Sequence, residues 1–484
     1  MPRVSTVSPG LERARDAVSR YAWGEAFDHY AACDAVAPLG ADDLEQMAEC
    51  AWWIGKMRHC IALRERAHAA YLKADDVRRA AHVAVELADH HADLMEIGTA
   101  SAWLQKADRL LEHQPESAEH GWLRFTEGMM ARGQGDMEKV GGRAAEAAAI
   151  ATRHGDRDLF ALSHATQGLA LSYAGEAERG RLMVEEATVG AVNGDLGPRA
   201  TGWIYCMMIT ANAHLADWQR AGQWTEAAKN WCDRQAINGF PGVCRVHRAE
   251  IMRLRGDLTE AEEEARTATV ELGSFNLMFA AQAFRELGEV RLKMGEIDSA
   301  EEAFRQANEM GVTPQPGLAQ ALLQRGKTQA AASSLRRALA DTSLGALDRA
   351  KLLPTRVEAA LLLGDVETAR AGAAELDAIA GTHTSPGLRA TAAAAAAAVG
   401  LADGAFEPAV AAALEARRIY DEIELCYEAA RVSVLLGRIH RASGDAESAE
   451  TELRAGLAIF ESMGAVPDAQ RARELLTATG SVSR

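Results

Sequence analysis

One tripeptide in the chain has the residue types of a nucleotide-binding loop, Gly326-Lys327-Thr328. A complete phosphate-binding loop needs another glycine five positions earlier, so that backbone N–H groups can surround the phosphates, and a buried strand in front of it. The earlier position is Ala321, and the preceding letters GLAQALLQ favour a helix because they contain no β-branched residue. The sequence therefore predicts that Gly326 lies in a turn and that Lys327 is a solvated turn residue.

A histidine-rich stretch, ELADHHADLMEIG, has residue types that could bind a divalent metal ion. Imidazole and carboxylate groups are common metal ligands, and His82, Glu86 and His90 would share one face of a helix. Their spacing matches no established zinc signature, so we favour solvated or core-edge histidines and expect no metal site. The remaining candidate ligands of this stretch are Asp89, His91 and Asp93.

Cysteines and histidines of two neighbouring segments form another candidate set. Cys244 and His247 are three residues apart, and Cys206 and His214 belong to the preceding segment. A nucleophilic cysteine needs a base placed beside it in space, and a metal site needs further ligands. Whether the four residues form a catalytic site, a metal site or neither depends on tertiary contacts, and the sequence leaves this open.

The charge of the chain bears on its partners. Its 484 residues contain 69 Asp and Glu against 52 Lys and Arg, a formal net charge of −17. Such a field repels nucleic acid and anionic lipid, and no run of five basic residues offsets it. Acidic runs such as EAEEEAR are predicted to be solvated helix faces rather than acid–base sites. We therefore expect no direct nucleic-acid partner and no membrane partner.

Cysteine usage and hydropathy indicate a compartment. The seven cysteines are odd in number and never spaced C-x-x-C, which suits a reducing environment better than a disulfide framework. The N-terminal segment lacks the apolar core of a signal peptide, and no apolar run reaches 18 residues. The expectation is a cytoplasmic protein without a cofactor.

Glycine-centred segments recur along almost the whole chain. Segments such as RGDLTEA, GEIDSA and GDAESA share one pattern, in which polar residues follow Gly and a small residue follows five positions after it. Nine of the ten intervals between successive segments are 38 to 42 residues long, and the tenth is 31. Five positions after the anchor, eight of eleven residues are Ala. The eleven anchors are positions 55, 97, 135, 175, 216, 256, 295, 326, 364, 404 and 444.

The repeated pattern has the physical features of a helical hairpin. Gly adopts the left-handed conformation that ends one helix, and a following Asp, as at Asp257 and Asp445, can cap the next. Small residues at fixed offsets let two helices approach closely. The sequence predicts an all-α solenoid of about eleven to twelve hairpins with a period near 40 residues, stacked because no hairpin buries its apolar face alone.

One segment, FRELGEVRLKMGEIDSAEEAFRQANEMG, resembles a tetratricopeptide repeat, with Gly288, Gly295 and Ala300 among its hallmark positions. The typical repeat has 34 residues. The resemblance implies a right-handed superhelix whose first helices line a concave groove, although the large aromatic residues could instead fill space between hairpins. The groove residues that it implies are Trp122, Phe125, Met129, Arg132, Tyr173, Trp203, Cys206, Thr210, His214, Glu250, Arg253, Arg285, Glu289 and Lys293.

The longer period resembles the helical-repeat region of large bacterial LuxR-type transcriptional regulators. The segments AWLQKADRLLE, EHGWL and GVCRVHRAEIMRLRGDLTEAEEEA carry this likeness. Such regulators usually contain an NTPase module and a helix-turn-helix, and we find neither a complete phosphate-binding loop nor a DNA-binding domain after the last repeat. The resemblance therefore implies a sensing or docking part without the output part.

The expected break in the array lies at GVTPQPG, because Pro314 and Pro316 should interrupt a helix. All nine Trp lie before it, and we expect the units after it to present mostly Ala, Leu and Val to the groove. The expected division is a disordered N-terminus at 1–10, a Trp-bearing half at 11–313, an Ala-rich half at 314–475 and a disordered tail at 476–484.

The function expected from these features is non-enzymatic recognition. The chain would be a scaffold or sensor that binds a protein segment or a small effector in the groove between Trp122 and Lys293, in a bacterial transcriptional or signalling circuit. Aromatic side chains supply buried area there and Arg and Glu supply orientation. The alternative is an enzyme or ligand-transforming protein with a His, Cys and carboxylate site inside the superhelix.

Overall fold

The computed structural model describes residues 8–133, 135–234, 243–342, 344–383 and 385–480. These residues form 25 α-helices and no strand, which confirms the all-α prediction. The odd-numbered helices are α1 (Pro9–Ser19), α3 (Ala41–Trp53), α5 (Val77–Asp93), α7 (Ala118–Gly133), α9 (Arg157–Tyr173), α11 (Pro198–His214), α13 (Val243–Arg255), α15 (Leu277–Met294), α17 (Gly317–Gln324), α19 (Ala346–Leu362), α21 (Pro386–Ala402), α23 (Cys426–Ala442) and α25 (Val466–Gly480). The even-numbered helices are α2 (Trp23–Val36), α4 (Met57–Lys73), α6 (Ile97–Leu111), α8 (Met137–His154), α10 (Ala177–Asn193), α12 (Trp218–Arg234), α14 (Leu258–Leu272), α16 (Ile297–Glu309), α18 (Thr328–Leu339), α20 (Val366–Thr382), α22 (Phe406–Glu422) and α24 (Ala446–Met463).

Each odd-numbered helix up to α23 forms a hairpin with the helix that follows it, giving twelve hairpins, and α25 packs on the last one. Ten of the eleven predicted anchors have a positive φ, the left-handed conformation expected of them. The exception is the anchor at position 97, where the turn lies two residues earlier, at Met95. The period and the number of hairpins are therefore confirmed.

The tripeptide Gly326-Lys327-Thr328 is the turn of the ninth hairpin. Gly326 has φ 71° and connects α17 to α18, which begins at Thr328. Lys327 is exposed at the position before α18. The prediction of a turn is confirmed, and a helix rather than a strand precedes it.

Local polar groups and small residues shape the hairpins as the sequence pattern indicated. The side chains of Asp136, Asp365 and Asp445 each accept a hydrogen bond from the backbone N–H three residues later, which satisfies a donor that the helix leaves unpaired. Asp257 occupies the same position before α14, but its side chain accepts no such bond. Within the α9–α10 hairpin, a Cβ added at Gly168 would lie 2.5 Å from the carbonyl oxygen of Gly180. The two helices can approach this closely only because no side chain is present.

Gly295 offers a test of the hairpin register. Its φ is 87°, and an added Cβ would lie 3.3 Å from the ring of Pro467. Gly295→Val should lower the free energy of unfolding by on the order of 1–3 kcal/mol, because a β-branched residue is strained in this conformation. Urea unfolding followed by circular dichroism measures the effect. Gly142→Ala, within α8 and facing open space, is the control and should not destabilise; equal midpoints for parent and Gly295→Val would contradict the register.

The prolines interrupt the helices as expected. Helix α16 ends at Glu309 and α17 begins at Gly317. The next hairpin is short, with helices of 8 and 12 residues, which accounts for the interval of 31. Helices α15 and α16 nevertheless contact α17, so packing continues across this segment. A division into two halves stays a prediction.

The chain termini differ from the expected boundaries. Helix α1 begins at Pro9, where the Ser8 side chain caps it, and α25 extends to Gly480. Residues 9–10 and 476–480, expected to be disordered, are therefore helical. Residues 1–7 and 481–484 lie outside the described residues.

Units far apart in sequence contact each other across the interior. The side chain of Arg199 forms ion pairs with Glu86 and Asp89, more than 100 residues earlier. The rings of Trp52 and Phe275 lie 5.4 Å apart, and Lys293 Nζ lies 3.3 Å from the ring centroid of Tyr427. Successive turns of the superhelix thus pack against each other, and the concave surface encloses a narrow interior.

Candidate functional site

A cavity of about 790 Å³ lies inside the superhelix, and its walls include residues from every first helix between α7 and α25. Nine of the residues implied for the groove line it, and five do not. Those that line the cavity are Arg132, Tyr173, Thr210, His214, Glu250, Arg253, Arg285, Glu289 and Lys293. Those that do not are Trp122, Phe125, Met129, Trp203 and Cys206.

The two tryptophans implied for the groove pack between hairpins. Trp122 Nε1 donates a hydrogen bond to Asp156 Oδ2 at 2.9 Å, and its ring meets Phe125 edge-on at 5.9 Å. Trp203 packs 6.1 Å from Phe279, and it is Phe279 that reaches the cavity. These contacts correspond to the interpretation in which large aromatics fill space between units.

The expectation that the units after Pro316 present mostly small apolar residues is wrong. Charged and aromatic side chains of the second half line the cavity, because closure of the superhelix brings α19, α21, α23 and α25 around the same interior. Repeat register could have identified two of them, since Lys351 and Arg431 occupy the position within their repeats that Trp122 and Trp203 occupy in theirs. The other charged or aromatic residues of this half in the cavity wall are Arg337, Asp341, Asp348, Glu358, Tyr420, Tyr427, Glu428, Asp468 and Arg471.

One group of residues, which we call the Arg132 cluster, consists of Arg132, Tyr173, His214, His247 and Lys351. The rings of Tyr173 and His214 stack with centroids 3.8 Å apart. Lys351 Nζ lies 3.3 Å from His214 Nδ1. The cluster draws on α7, α9, α11, α13 and α19, so only the superhelix brings it together.

Burial dominates the electrostatics of the Arg132 cluster. It lowers the pKa of His214 to about 2, with Lys351 and Arg132 adding to the shift, and it lowers the pKa of His247 to about 4, with a contribution from Arg132. Both imidazoles are therefore neutral near pH 7. His214 Nε2 and both ring nitrogens of His247 lack a hydrogen-bond partner among the described residues. Buried polar atoms without partners call for an explanation, and a bound ligand would supply one.

Two arginines of the cavity wall are also without partners. Among the described residues, Arg132 and Arg285 have no ion pair and no hydrogen bond. Burial lowers the pKa of Arg132, and only the neighbouring Tyr173 acts in the opposite sense. A guanidinium is always charged and carries five donors in a planar fork, which suits carboxylate and phosphate groups. Both side chains can therefore bind an anionic group.

A second group of charged residues in the cavity wall contains both partners of an ion pair, Arg253 and Glu286. Arg253 donates to Glu286, with Nη2 3.3 Å from Oε2, and the Glu286 residue is 1% exposed. Burial opposes the charge of Arg253, but Glu286 and Glu289 raise its pKa overall. Burial lowers the pKa of Lys293, which lies over the ring of Tyr427, to about 8. These contacts give the second group a structural role.

The cysteine and histidine candidates separate in space. Cys244 lies beside Cys206 and Cys232, and sequence reasoning did not select Cys232. His214 and His247 instead line the cavity, which no cysteine reaches among the described residues. Its interaction with the Cys206 thiol, together with burial, raises the pKa of Cys244, so its sulfur is a thiol rather than the nucleophilic thiolate.

The histidine-rich stretch lies on α5, away from the cavity. His91 Nδ1 is 2.6 Å from Glu96 Oε2, so this side chain is engaged locally. His90 is fully buried, and burial together with Arg64 and Arg199 lowers its pKa well below the usual range.

Within the described part of the chain, none of the helices has the length and apolar character needed to cross a bilayer.

Comparison with known proteins finds similarity to solved helical-repeat structures. The APC/C hetero-tetramer Cut9–Hcn1 is 13% identical, with 96% of each chain covered and a TM-score of 0.38. Yeast Tom70 is 12% identical over 96% of this chain and 95% of its own, with a TM-score of 0.34. The human IFIT1 dimer with PPP-AAAA is 13% identical over 89% and 93%, with a TM-score of 0.42. No family model and no curated protein matches the sequence. At these values no site or partner can be transferred to this chain.

Proposed function

We propose that this protein is a non-enzymatic recognition module, a sensor or scaffold that binds an anionic ligand in the cavity inside its superhelix. The observation that carries the proposal is the pair Arg132 and Arg285, two cavity-wall guanidiniums without an anionic partner among the described residues. Both guanidiniums are partly buried in the cavity wall, where attraction to an anion is stronger than in bulk water, so we infer that an anion from outside the chain completes this site.

The charge of the cavity differs from that of the whole chain. Eight basic and eight acidic side chains line the cavity, whereas the whole chain has a net charge of −17. Several of the acidic residues are already paired, as Glu286 is with Arg253 and Glu428 with Arg431. Glu250 and Glu289 of the same wall also form no ion pair among the described residues, so the preference for a carboxylate or phosphate rests on the local positive charge at Arg132 and Arg285 and not on the net charge of the cavity.

The volume of the cavity limits the size of the ligand. At about 790 Å³ it lies within the usual range of roughly 300–1,000 Å³ for ligand pockets. A small effector fits this space, as does the side-chain portion of a short acidic peptide. Tyr173, Trp218 and Phe279 supply apolar surface beside the charged groups, which is the combination that ligand pockets commonly show.

A catalytic role is less well supported by the cavity wall. No Ser and no Cys lines the cavity among the described residues, and the one side-chain partner of the two histidines there is the Lys351 ammonium, which is no hydroxyl or thiol nucleophile. The sequence resemblance to the repeat region of LuxR-type regulators supports placing the module in a transcriptional or signalling circuit.

Substitution of Arg132 tests the proposal. Isothermal titration calorimetry of the full chain against two panels, small carboxylates and phosphates in one and acidic eight-residue peptides in the other, should find a ligand in one panel. Arg132→Gln should weaken its binding about thirtyfold, because an arginine anchor contributes about 2 kcal/mol or more. Arg336→Gln, which removes an exposed arginine of α18 outside the cavity, is the matched control. Unchanged affinity in Arg132→Gln, or no binding by any member of either panel, would contradict the proposal.

A further inference from the structure

A compact group of possible ligand atoms lies on α5, outside the cavity. One ring nitrogen of His90 and one carboxylate oxygen each of Asp89 and Asp93 all lie within 4.8 Å of one another. Residues 89 and 93 are one helical turn apart, and so are 90 and 93, which places the three side chains on adjacent parts of one helix face. The group faces α11 and the start of α15, because Arg199 and Asn276 bind its two carboxylates.

His90 is the member of this group that a purely structural role does not explain. It is 0% exposed, and neither ring nitrogen has a hydrogen-bond partner among the described residues. Leaving a buried polar group unsatisfied is unfavourable. Two other buried histidines of this region do have partners, since His68 Nδ1 lies 2.8 Å from the Ala80 carbonyl oxygen and His91 binds Glu96. His90 carries an unused nitrogen toward two carboxylates.

The two carboxylates are held in place from outside the group. Asp93 Oδ1 accepts a hydrogen bond from Asn276 Nδ2 at 2.6 Å, and Asp89 Oδ2 accepts one from Arg199 Nη2 at 3.1 Å. The other oxygen of each carboxylate has no partner among the described residues. Outer contacts of this kind commonly orient metal ligands.

A neighbouring group with similar residue types already has two cations beside one of its carboxylates. Glu45, His82 and Glu86 also lie close together, but Glu86 pairs with both Arg64 and Arg199. Two guanidiniums on one carboxylate neutralise it and would repel a third cation. The comparison singles out the group at Asp89, His90 and Asp93.

We propose that Asp89, His90 and Asp93 bind one divalent transition-metal ion of the Zn²⁺ class through one imidazole nitrogen and two carboxylate oxygens. Zn²⁺ accepts this combination of nitrogen and oxygen ligands. Mg²⁺ and Ca²⁺ prefer sites made of oxygen ligands alone, so an imidazole ligand makes binding of either ion weaker. Three protein ligands leave a coordination position open. The side chain of Asp89 is 37% exposed, so an ion can reach the site from solvent.

The test uses the full chain without a polyhistidine tag, stripped of metal with a chelator and titrated with ZnCl₂ by isothermal titration calorimetry. We expect one tight site per chain and weaker binding of MgCl₂. Asp93→Asn, which keeps the shape of the side chain, and His90→Ala should each weaken Zn²⁺ binding by more than about a hundredfold. Asn276→Ala, which removes the support of Asp93, should weaken it by about ten- to a hundredfold.

His91→Asn is the matched control, because His91 is also buried and adjacent in sequence but lies outside the group; it should retain the tight site. Circular dichroism of each variant establishes that it is folded, and if His90→Ala fails to fold, Asp93→Asn and Asn276→Ala decide the question. The proposal is overturned if the parent chain binds no Zn²⁺ at micromolar concentration, or if folded Asp93→Asn binds Zn²⁺ as tightly as the parent.

Discussion

Replacing Arg253 by alanine should lower the free energy of unfolding by about 3–5 kcal/mol, because it leaves Glu286 buried without its cation. Glu286 is 1% exposed, and Arg253 provides its ion pair across α13 and α15. Urea unfolding of parent and variant, followed by circular dichroism, measures the change. The expected loss also means that Arg253→Ala cannot serve as a probe of ligand binding, and this is why Arg132 is the better choice.

Two further variants make the expectation for Arg253 specific. Replacing both partners together, Arg253→Met with Glu286→Leu, should recover most of the loss, since apolar residues of similar size can substitute for a buried ion pair. Arg305→Gln disrupts exposed ion pairs on α16 and should leave the urea midpoint unchanged. If Arg253→Ala unfolds at the same urea concentration as the parent, the pair is not buried in solution.

Lowering the pH from 7 to 5 should destabilise the protein through His214 and His247 by about 2 kcal/mol each. Their folded pKa values, about 2 and about 4, lie below the ordinary value of 6.5. The unfolded chain therefore binds more protons than the folded chain as the pH falls below 6.5. Their contribution to stability is complete above that pH and is lost progressively as the pH falls toward the folded values.

The groups around the two histidines keep them neutral. Lys351 and Arg132 oppose protonation of His214, although Asp348 lies 3.9 Å from its Nδ1. Arg132 opposes protonation of His247, and Glu286 favours it more weakly. Burial outweighs both carboxylates.

The measurement is the difference between the free energies of unfolding at pH 7 and pH 5. In His247→Gln this difference should be smaller by about 2 kcal/mol than in the parent, whatever the variant does to stability at pH 7. His113→Gln removes an exposed histidine and should leave the difference unchanged. A pH dependence that is the same in parent and His247→Gln would contradict the neutral, buried state of His247.

The local architecture of the chain could be predicted from the sequence because it depends on groups close together along the chain. A left-handed turn at Gly256 or Gly364 is set by the glycine itself, and the cap at Asp445 is set by a backbone N–H three residues away. Repetition of these signals fixed the period, the number of hairpins and the interpretation of Gly326-Lys327-Thr328 as a turn. A single residue such as Met95 could replace the glycine without disturbing the rest.

The tertiary structure alone decided which side chains share an interior. Trp122 and Lys351 occupy the same position in their repeats, yet only Lys351 reaches the cavity, because the direction of a side chain depends on how each hairpin packs on its neighbours. The contacts of Arg199 with Asp89 and of Asn276 with Asp93 join residues 110 and 183 positions apart. Residues so far apart in sequence come into contact because the superhelix curves. This curvature is the sum of small rotations between many successive units, and no local sequence pattern determines it.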